Sequence, residues 1–303
     1  MNYLIVIGGA TATGKSDLAV RLARQFDTAV LSADSRQFYR EMSIGTAKPS
    51  LEERQGITHY FIDCLSVADE YSVGDFERQA IELLDQLFLK NKVVVMAGGS
   101  GLFIRAVCEG LDDFPDVPGA VRKKVESGEQ TNGIRWLQQE LERLDPEYFT
   151  RVDHNNPARL RRALEVCLAS GLPYSHFLSR EKPVRNFTPI FIQLDLPRAE
   201  LYSRIERRVD NMVEQGLEEE ARLLLPYRDR PALHTVGYEE FFDYFDQKIT
   251  REEAILKIKQ HSRNYAKRQG TWFRKYGHWA VFHPEDWPGI LRFVQLKMES
   301  PAT

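Results

Sequence analysis

"GGATATGKSDLA", residues 8–19, follows the apolar run Leu4–Ile7, and its reading decides the fold. Gly9, four further residues, then Gly14, Lys15 and Ser16 have the spacing of a phosphate-binding loop. In such a loop backbone N–H groups and a lysine surround a di- or triphosphate. The order strand, loop, helix is the one this motif requires. The same alternation continues outward: Ala29–Ser32 reads as a strand, Val73–Asn91 as a helix and Val93–Ala97 as another strand. Crossovers of that length predict right-handed βαβ units in an α/β fold, a P-loop NTPase-like parallel sheet with every strand C-terminus on one edge, where ligands bind.

Composition sets the outer limits. With 303 residues the chain can bury a large core and carry two domains. Its 43% apolar and 28% charged content is ordinary for a globular protein, and no run approaches the roughly 18 apolar residues that cross a bilayer. The N-terminus reads as a strand rather than a targeting signal, so a cytoplasmic protein without a membrane partner is expected. Cys64, Cys108 and Cys167 lack metal or disulfide spacing and read as small buried hydrophobes. The net charge of −3 excludes a chain that is basic throughout, yet Ala254–Pro284 contains seven Lys and Arg and no acid.

After Gly110 the pattern changes. "LDDFPDVPG" is a proline- and acid-rich connector, and short helices follow, one starting at Asn156-Pro157 with Leu160, Ala163, Leu164 and Cys167 on one face. An all-helical insertion is therefore placed at 112–187, between core segments 1–111 and 188–303. "PIFIQLDL" (189–196) returns the chain to the sheet, a helix spans Arg198–Gln215, and Thr250 with Glu253 forms a capping box opening a helix that reaches about Tyr276.

An NTPase or kinase needs an acid after a later strand to hold magnesium, but here "VVVMA" runs into Gly98-Gly99-Ser100-Gly101. Acids follow other strands, at Asp34, Asp63 and Asp195. Asp34 is the best placed: a carboxylate beside a phosphate loop reads as a proton acceptor for a second substrate, or else as a turn residue. Arg204 and Arg208, four apart on one helix, read as an anion-binding edge or as a solvated pair. On the basic helix Ile255, Ile258, Tyr265, Trp272 and Phe273 fall on one side, with Lys259, Arg263, Lys267, Arg268 and Arg274 broadly opposite. Cations without neutralising acids suit a phosphate backbone, as do Arg159, Arg161 and Arg162, although a solvated face fits each stretch too.

Six blocks in order then resemble the tRNA dimethylallyltransferase family, bacterial type without the zinc finger: "GATATGKS" (9–16), "LSADSRQFYREMSIGTAKP" (31–49), "AGGSGLFIRAV" (97–107), "NPARLRRALEV" (156–166), "LYSRIERRVDNMVEQGL" (201–217) and "YAKRQGTWFR" (265–274). The chain departs from the family pattern at Ala10, where proline is usual, and Ser43, where aspartate is usual. The resemblance implies a dimethylallyl group moved from dimethylallyl diphosphate to N6 of the adenosine 3′-adjacent to the tRNA anticodon. The related prenylation of free adenine nucleotides is the alternative.

On that reading the leaving diphosphate is held by Gly9, Ala10, Thr11, Ala12, Thr13, Gly14, Lys15 and Ser16. Ser16 touches a magnesium ion, Arg208 adds charge, and Thr11 lies near the reacting carbon. Asp34 is the base; Ser35, Arg36, Gln37 and Ser100 resemble residues that contact the acceptor nucleotide. Arg122 and the segment Ala158, Arg159, Leu160, Arg161 and Arg162 would grip the anticodon stem-loop, with Arg263, Lys267, Arg268 and Arg274 on the basic helix. A monomer is expected.

Overall fold

A computed structural model describes residues 1–178 and 182–299. In chain order the elements are β1 (Tyr3–Gly9), α1 (Lys15–Gln25), β2 (Val30–Ser32), α2 (Leu51–Arg54), β3 (His59–Tyr60), α3 (Val73–Phe88), β4 (Val93–Ala97) and α4 (Gly101–Glu109). Then come α5 (Gly119–Leu144), α6 (Pro146–Phe149), α7 (Pro157–Ser170), β5 (Thr188–Leu194), α8 (Arg198–Glu214), α9 (Leu217–Leu224), α10 (Glu239–Phe245), α11 (Arg251–Lys275), β6 (Ala280–Phe282) and α12 (Trp287–Glu299). They form two compact units, one of Met1–Glu109 with Val184–Thr303 and one of Gly110–Pro183.

In the first unit six parallel strands lie in the order β3-β2-β4-β1-β5-β6. The period-2 pleat of β1 sends Tyr3, Ile5 and Ile7 to a core shared with α1 and α12, and Leu4 and Val6 to one shared with α3, α4 and Phe273 of α11. Both faces are covered, so β1 and β4 are apolar along their whole length. β1 pairs with β4 on one side and β5 on the other, which opens a crevice at the C-terminal edge next to its glycine loop. A separate core joins α9, α10 and the first half of α11 to Tyr39 and Met42.

The Gly110–Pro183 unit packs α5 against α7 around Leu137, Leu141, Leu160 and Leu164. Gly133, at φ 70° and ψ −170°, interrupts α5, so two shorter helices meet there. Asn156 caps α7 by accepting from the Arg159 N–H at 3.1 Å, with Pro157 in the first turn. The expected limit at 187 differs from this unit's end because Phe187 belongs to a sheet core and Arg185 donates to the Ala106 carbonyl at 2.9 Å.

The helix read to Asn91 stops at Phe88, where Lys90 and Asn91 N–H turn back onto the Leu87 carbonyl. Strands β3 and β6, of two and three residues, are too short to leave a periodic signal. The Thr250–Glu253 capping box is present in full. Cys64 is exposed, unlike Cys167, so it is no core residue. Among the described residues no helix is long and apolar enough to cross a membrane.

Candidate active site

The phosphate loop gets its shape from three positive-φ positions, Gly9 (143°), Ala12 (64°) and Gly14 (89°). A Cβ on Gly9 would press on the Leu194 carbonyl of β5, so the first glycine is fixed by its neighbouring strand. Gly14 stands at the N-cap of α1 without a side-chain cap, which leaves first-turn N–H groups facing the loop. Inside the loop the Thr13 hydroxyl and the Lys15 ammonium both donate to the Ala10 carbonyl, at 2.8 and 2.7 Å. Ser16 is exposed at the start of α1.

Two helices from the C-terminal half reach Thr11. Arg208 Nη1 of α8 donates to Thr11 Oγ1 at 3.1 Å, and the Thr11 N–H donates to Gln269 Oε1 of α11 at 2.9 Å. That N–H therefore already has a partner, and the backbone donors expected for a phosphate are the remaining ones. Arg204 points elsewhere: it pairs with Glu200 at 2.8 Å and lines a cavity of about 190 Å³ with Gly14, Asp17 and Arg21.

Asp34 follows β2 on the same edge, its Oδ1 accepting from the Arg36 N–H at 3.2 Å. Burial pushes its carboxyl above the ordinary range, against the pull of Lys15, Arg36 and Arg208. Burial likewise pushes Lys15 down to about 8, with Asp34 opposing and Arg208 assisting, and burial lowers Arg208. Two desolvated cations thus face one desolvated carboxylate. This imbalance is what an anionic ligand would relieve. The other acids noted after strands are different: Asp63 pairs with Lys48 at 2.5 Å and Asp195 is exposed.

The Ser35 N–H donates to Ser100 Oγ at 3.1 Å, and the two hydroxyls lie 3.2 Å apart, so the Gly98–Gly101 loop is joined to the Asp34 turn. Two neighbours proposed as acceptor contacts are committed to the fold instead. Gln37 is buried and bonded to Ser32 Oγ and the Thr46 and Ala47 carbonyls, and the Arg36 guanidinium donates to the Pro231, Ala232 and His234 carbonyls. Their side chains shape the turn rather than project from it.

The basic positions also divide. Lys259 and Arg263 pair at 2.6 Å with Asp210 and Glu206 of α8, so the acids missing from their own helix come from a neighbour. Lys267, Arg268 and Arg274 are exposed, and Arg268 lies 5.6 Å over the Tyr265 ring. Tyr265, expected on the apolar face, keeps about a third of its surface, 36%, open to solvent, while its hydroxyl end is desolvated and is raised to about 12 by that desolvation and by the charge of Asp34. In the Gly110–Pro183 unit Leu160 is completely buried, so its side chain is core and no RNA contact. Arg161 makes a two-pronged pair with Glu129 at 2.7 and 3.2 Å, whereas Arg122, Ala158, Arg159 and Arg162 are exposed.

Sequence reading passed over Gln269 and Glu220. Glu220 of α9 accepts the N–H groups of Ser43, Ile44 and Gly45 and the Tyr238 hydroxyl, all within 2.9 Å, and so fixes the loop that holds Gln37. Neither stands out by spacing, although a glutamine three residues after Ala266 and four before Phe273, on the packed face of α11, was a usable signal.

Known proteins resemble this chain over nearly its whole length. The family model described as IPP transferase matches residues 37–276. A tRNA dimethylallyltransferase of Christiangramia forsetii is 53% identical over 301 residues, covering 99% of each chain. Among solved structures, the tRNA isopentenylpyrophosphate transferase of Bacillus halodurans superposes with a TM-score of 0.74 at 35% identity, covering 99% of this chain and 97% of that one. A eukaryotic dimethylallyltransferase acting on tRNA shares the fold, with a TM-score of 0.82 at 24% identity over 98% of this chain and 78% of its own. With its phosphate loop, its Asp34 turn and this extent of likeness, the chain belongs to the IPP transferase family.

Proposed function

We propose that the chain transfers a dimethylallyl group from dimethylallyl diphosphate to N6 of the adenosine 3′-adjacent to the anticodon of tRNA and releases diphosphate. One observation carries the reading: Lys15, Arg208 and Thr11 converge on the edge that also holds the desolvated Asp34. The names of the relatives favour a tRNA acceptor over a free nucleotide.

Breaking the C1–O bond leaves negative charge on the departing diphosphate and cationic character on the allylic carbon. The Lys15 ammonium, Arg208 and the free N–H groups at the start of α1 stabilise that developing charge more than the ground state. Arg208 orients the Thr11 hydroxyl toward the same place. On the acceptor side the amine lone pair is delocalised into the adenine ring. Asp34 accepts a hydrogen bond from N6 and takes its proton as the C–N bond forms. Its raised carboxyl makes it a stronger base than a solvated aspartate.

The donor set fits magnesium. Among the described residues no cluster of three acids, His or Cys could cage a metal, and a hydroxyl such as Ser16 with diphosphate oxygens suits an ion that keeps most of its water. When bound, magnesium would neutralise part of the leaving group's charge.

For the anticodon stem-loop we assign Arg122, Ala158, Arg159 and Arg162, and, on α11, Lys267, Arg268 and Arg274, with Ser35 and Ser100 near the acceptor. The protein works in the cytoplasm as a monomer. The test is to incubate it with magnesium, dimethylallyl diphosphate and either unmodified tRNA or AMP, ADP and ATP. Isopentenyl-adenosine found by mass spectrometry only in the tRNA digest supports the reading, and product only on free nucleotides overturns it.

A further inference from the structure

Gln269 is 6% exposed and both ends of its amide are used. Oε1 accepts the Thr11 N–H at 2.9 Å, and Nε2 donates to the Gly99 carbonyl at 3.0 Å. These partners lie 258 and 170 residues away in sequence, on loops following different strands. The approach needs glycine at 99, since a Cβ there would collide with Nε2, and at 101, where it would collide with the Trp272 ring.

Both loops lead to groups in the proposed chemistry. Thr11 carries the hydroxyl that meets Arg208. Gly99 adjoins Ser100, which holds the Ser35 N–H beside Asp34. The Gly98–Ser100 loop is tied to the Asp34 turn again by the Ser100 N–H, which donates to the Ala33 carbonyl at 3.2 Å. The Gln269 amide is thus a strut between the loop that holds the leaving group and the loop that backs the acceptor.

Resting on the function proposed above, we infer that Gln269 is a positioning residue for the transfer step, fixing the separation between Thr11 and Asp34 without touching either substrate. Displacing a reacting group by about 1 Å can cost on the order of 10²-fold in rate while binding survives. The amide geometry makes this specific: one acceptor and one donor are needed, which an apolar side chain of the same length lacks.

The experiment compares Gln269→Met and Gln269→Glu with wild type in steady-state and single-turnover prenylation of tRNA. For Gln269→Met, kcat falls about 10²-fold, with KM for tRNA and for dimethylallyl diphosphate within about threefold of wild type. Gln269→Glu keeps the acceptor for Thr11 but, when ionised, repels the Gly99 carbonyl; protonated, it regains a donor. Its kcat relative to wild type at the same pH therefore rises as pH falls from 8 to 6. A Met variant with wild-type kcat overturns the inference. So does a Glu variant whose ratio stays equally low at every pH, a readout that stands even if the Met variant does not fold. An inactive wild type would instead sink the proposed function, so the two failures are distinguishable.

Discussion

Lys15 offers a test that needs only a change of pH. Burial lowers its ammonium to about 8, so the free protein loses that charge within an accessible range. A bound diphosphate restores the charged form, which couples binding to proton uptake. If only the ammonium form binds, apparent Kd scales as 1 + 10^(pH − 8). It is about 1.1 times its limit at pH 7 and about 11 times at pH 9, a tenfold loss of affinity equal to about 1.4 kcal/mol. The diphosphate gains negative charge as pH rises, which by itself would tighten binding, so a loss has to come from the protein. Titration calorimetry with dimethylallyl diphosphate from pH 7 to 9 measures the slope. Repeating it at pH 8 in buffers of different ionisation enthalpy should reveal uptake of about half a proton. Lys15→Arg, which stays charged throughout, should abolish the decline. Flat affinity in the wild type, or the same slope in the arginine variant, would refute the argument.

Asp34→Asn should lower kcat by about 10²–10⁴-fold while tRNA affinity in a filter-binding assay is unchanged; near-normal turnover would remove it as the base. The same substitution removes a carboxylate whose charged form burial disfavours in the fold, so the ligand-free variant should unfold at a higher temperature than wild type at neutral pH, as read by thermal denaturation. Alanine at Arg159 and Arg162 together should flatten the salt dependence of tRNA binding, whereas alanine at Arg161, already paired with Glu129, should leave that slope unchanged. Leu160→Ala should cost about 2–5 kcal/mol in chemical denaturation if the side chain is core as described.

The parts of the fold that were legible in sequence have a strong local cause. β1 and β4 are buried on both faces and so are continuously apolar, and the starts of α7 and α11 show capping residues at fixed offsets. What escaped depends on partners distant in the chain. β3 and β6 exist because β2 and β5 offer them an edge, since two or three residues carry no period. The positive φ of Gly133 splits α5 where composition alone could not separate a break from a weak helix residue.

For the site, the same distinction separates motif from environment. Lys15 and Asp34 are singled out by loop spacing and strand order, which the chain fixes locally, and Thr11 by the resemblance of the loop to its family's. Whether a nearby polar residue faces the ligand or holds the backbone depends on what the rest of the chain puts opposite it. Gln37 and Arg36 lie within three residues of Asp34, yet carbonyls at 46–47 and 231–234 occupy them, and the acids that neutralise Lys259 and Arg263 arrive from α8. The glycine run after β4 shows the converse. Read along the chain it is a lost metal-binding acid; read in space, Gly98 passes against Ala33 while Gly99 and Gly101 receive Gln269 and Trp272 of α11. An acid side chain at 98 or 99 would collide with these neighbours. Gln269 and Trp272 of α11 therefore fill the space an acid at 99 or 101 would need, as suits an enzyme that moves an allylic carbon to an amine and releases diphosphate rather than delivering a phosphoryl group to water.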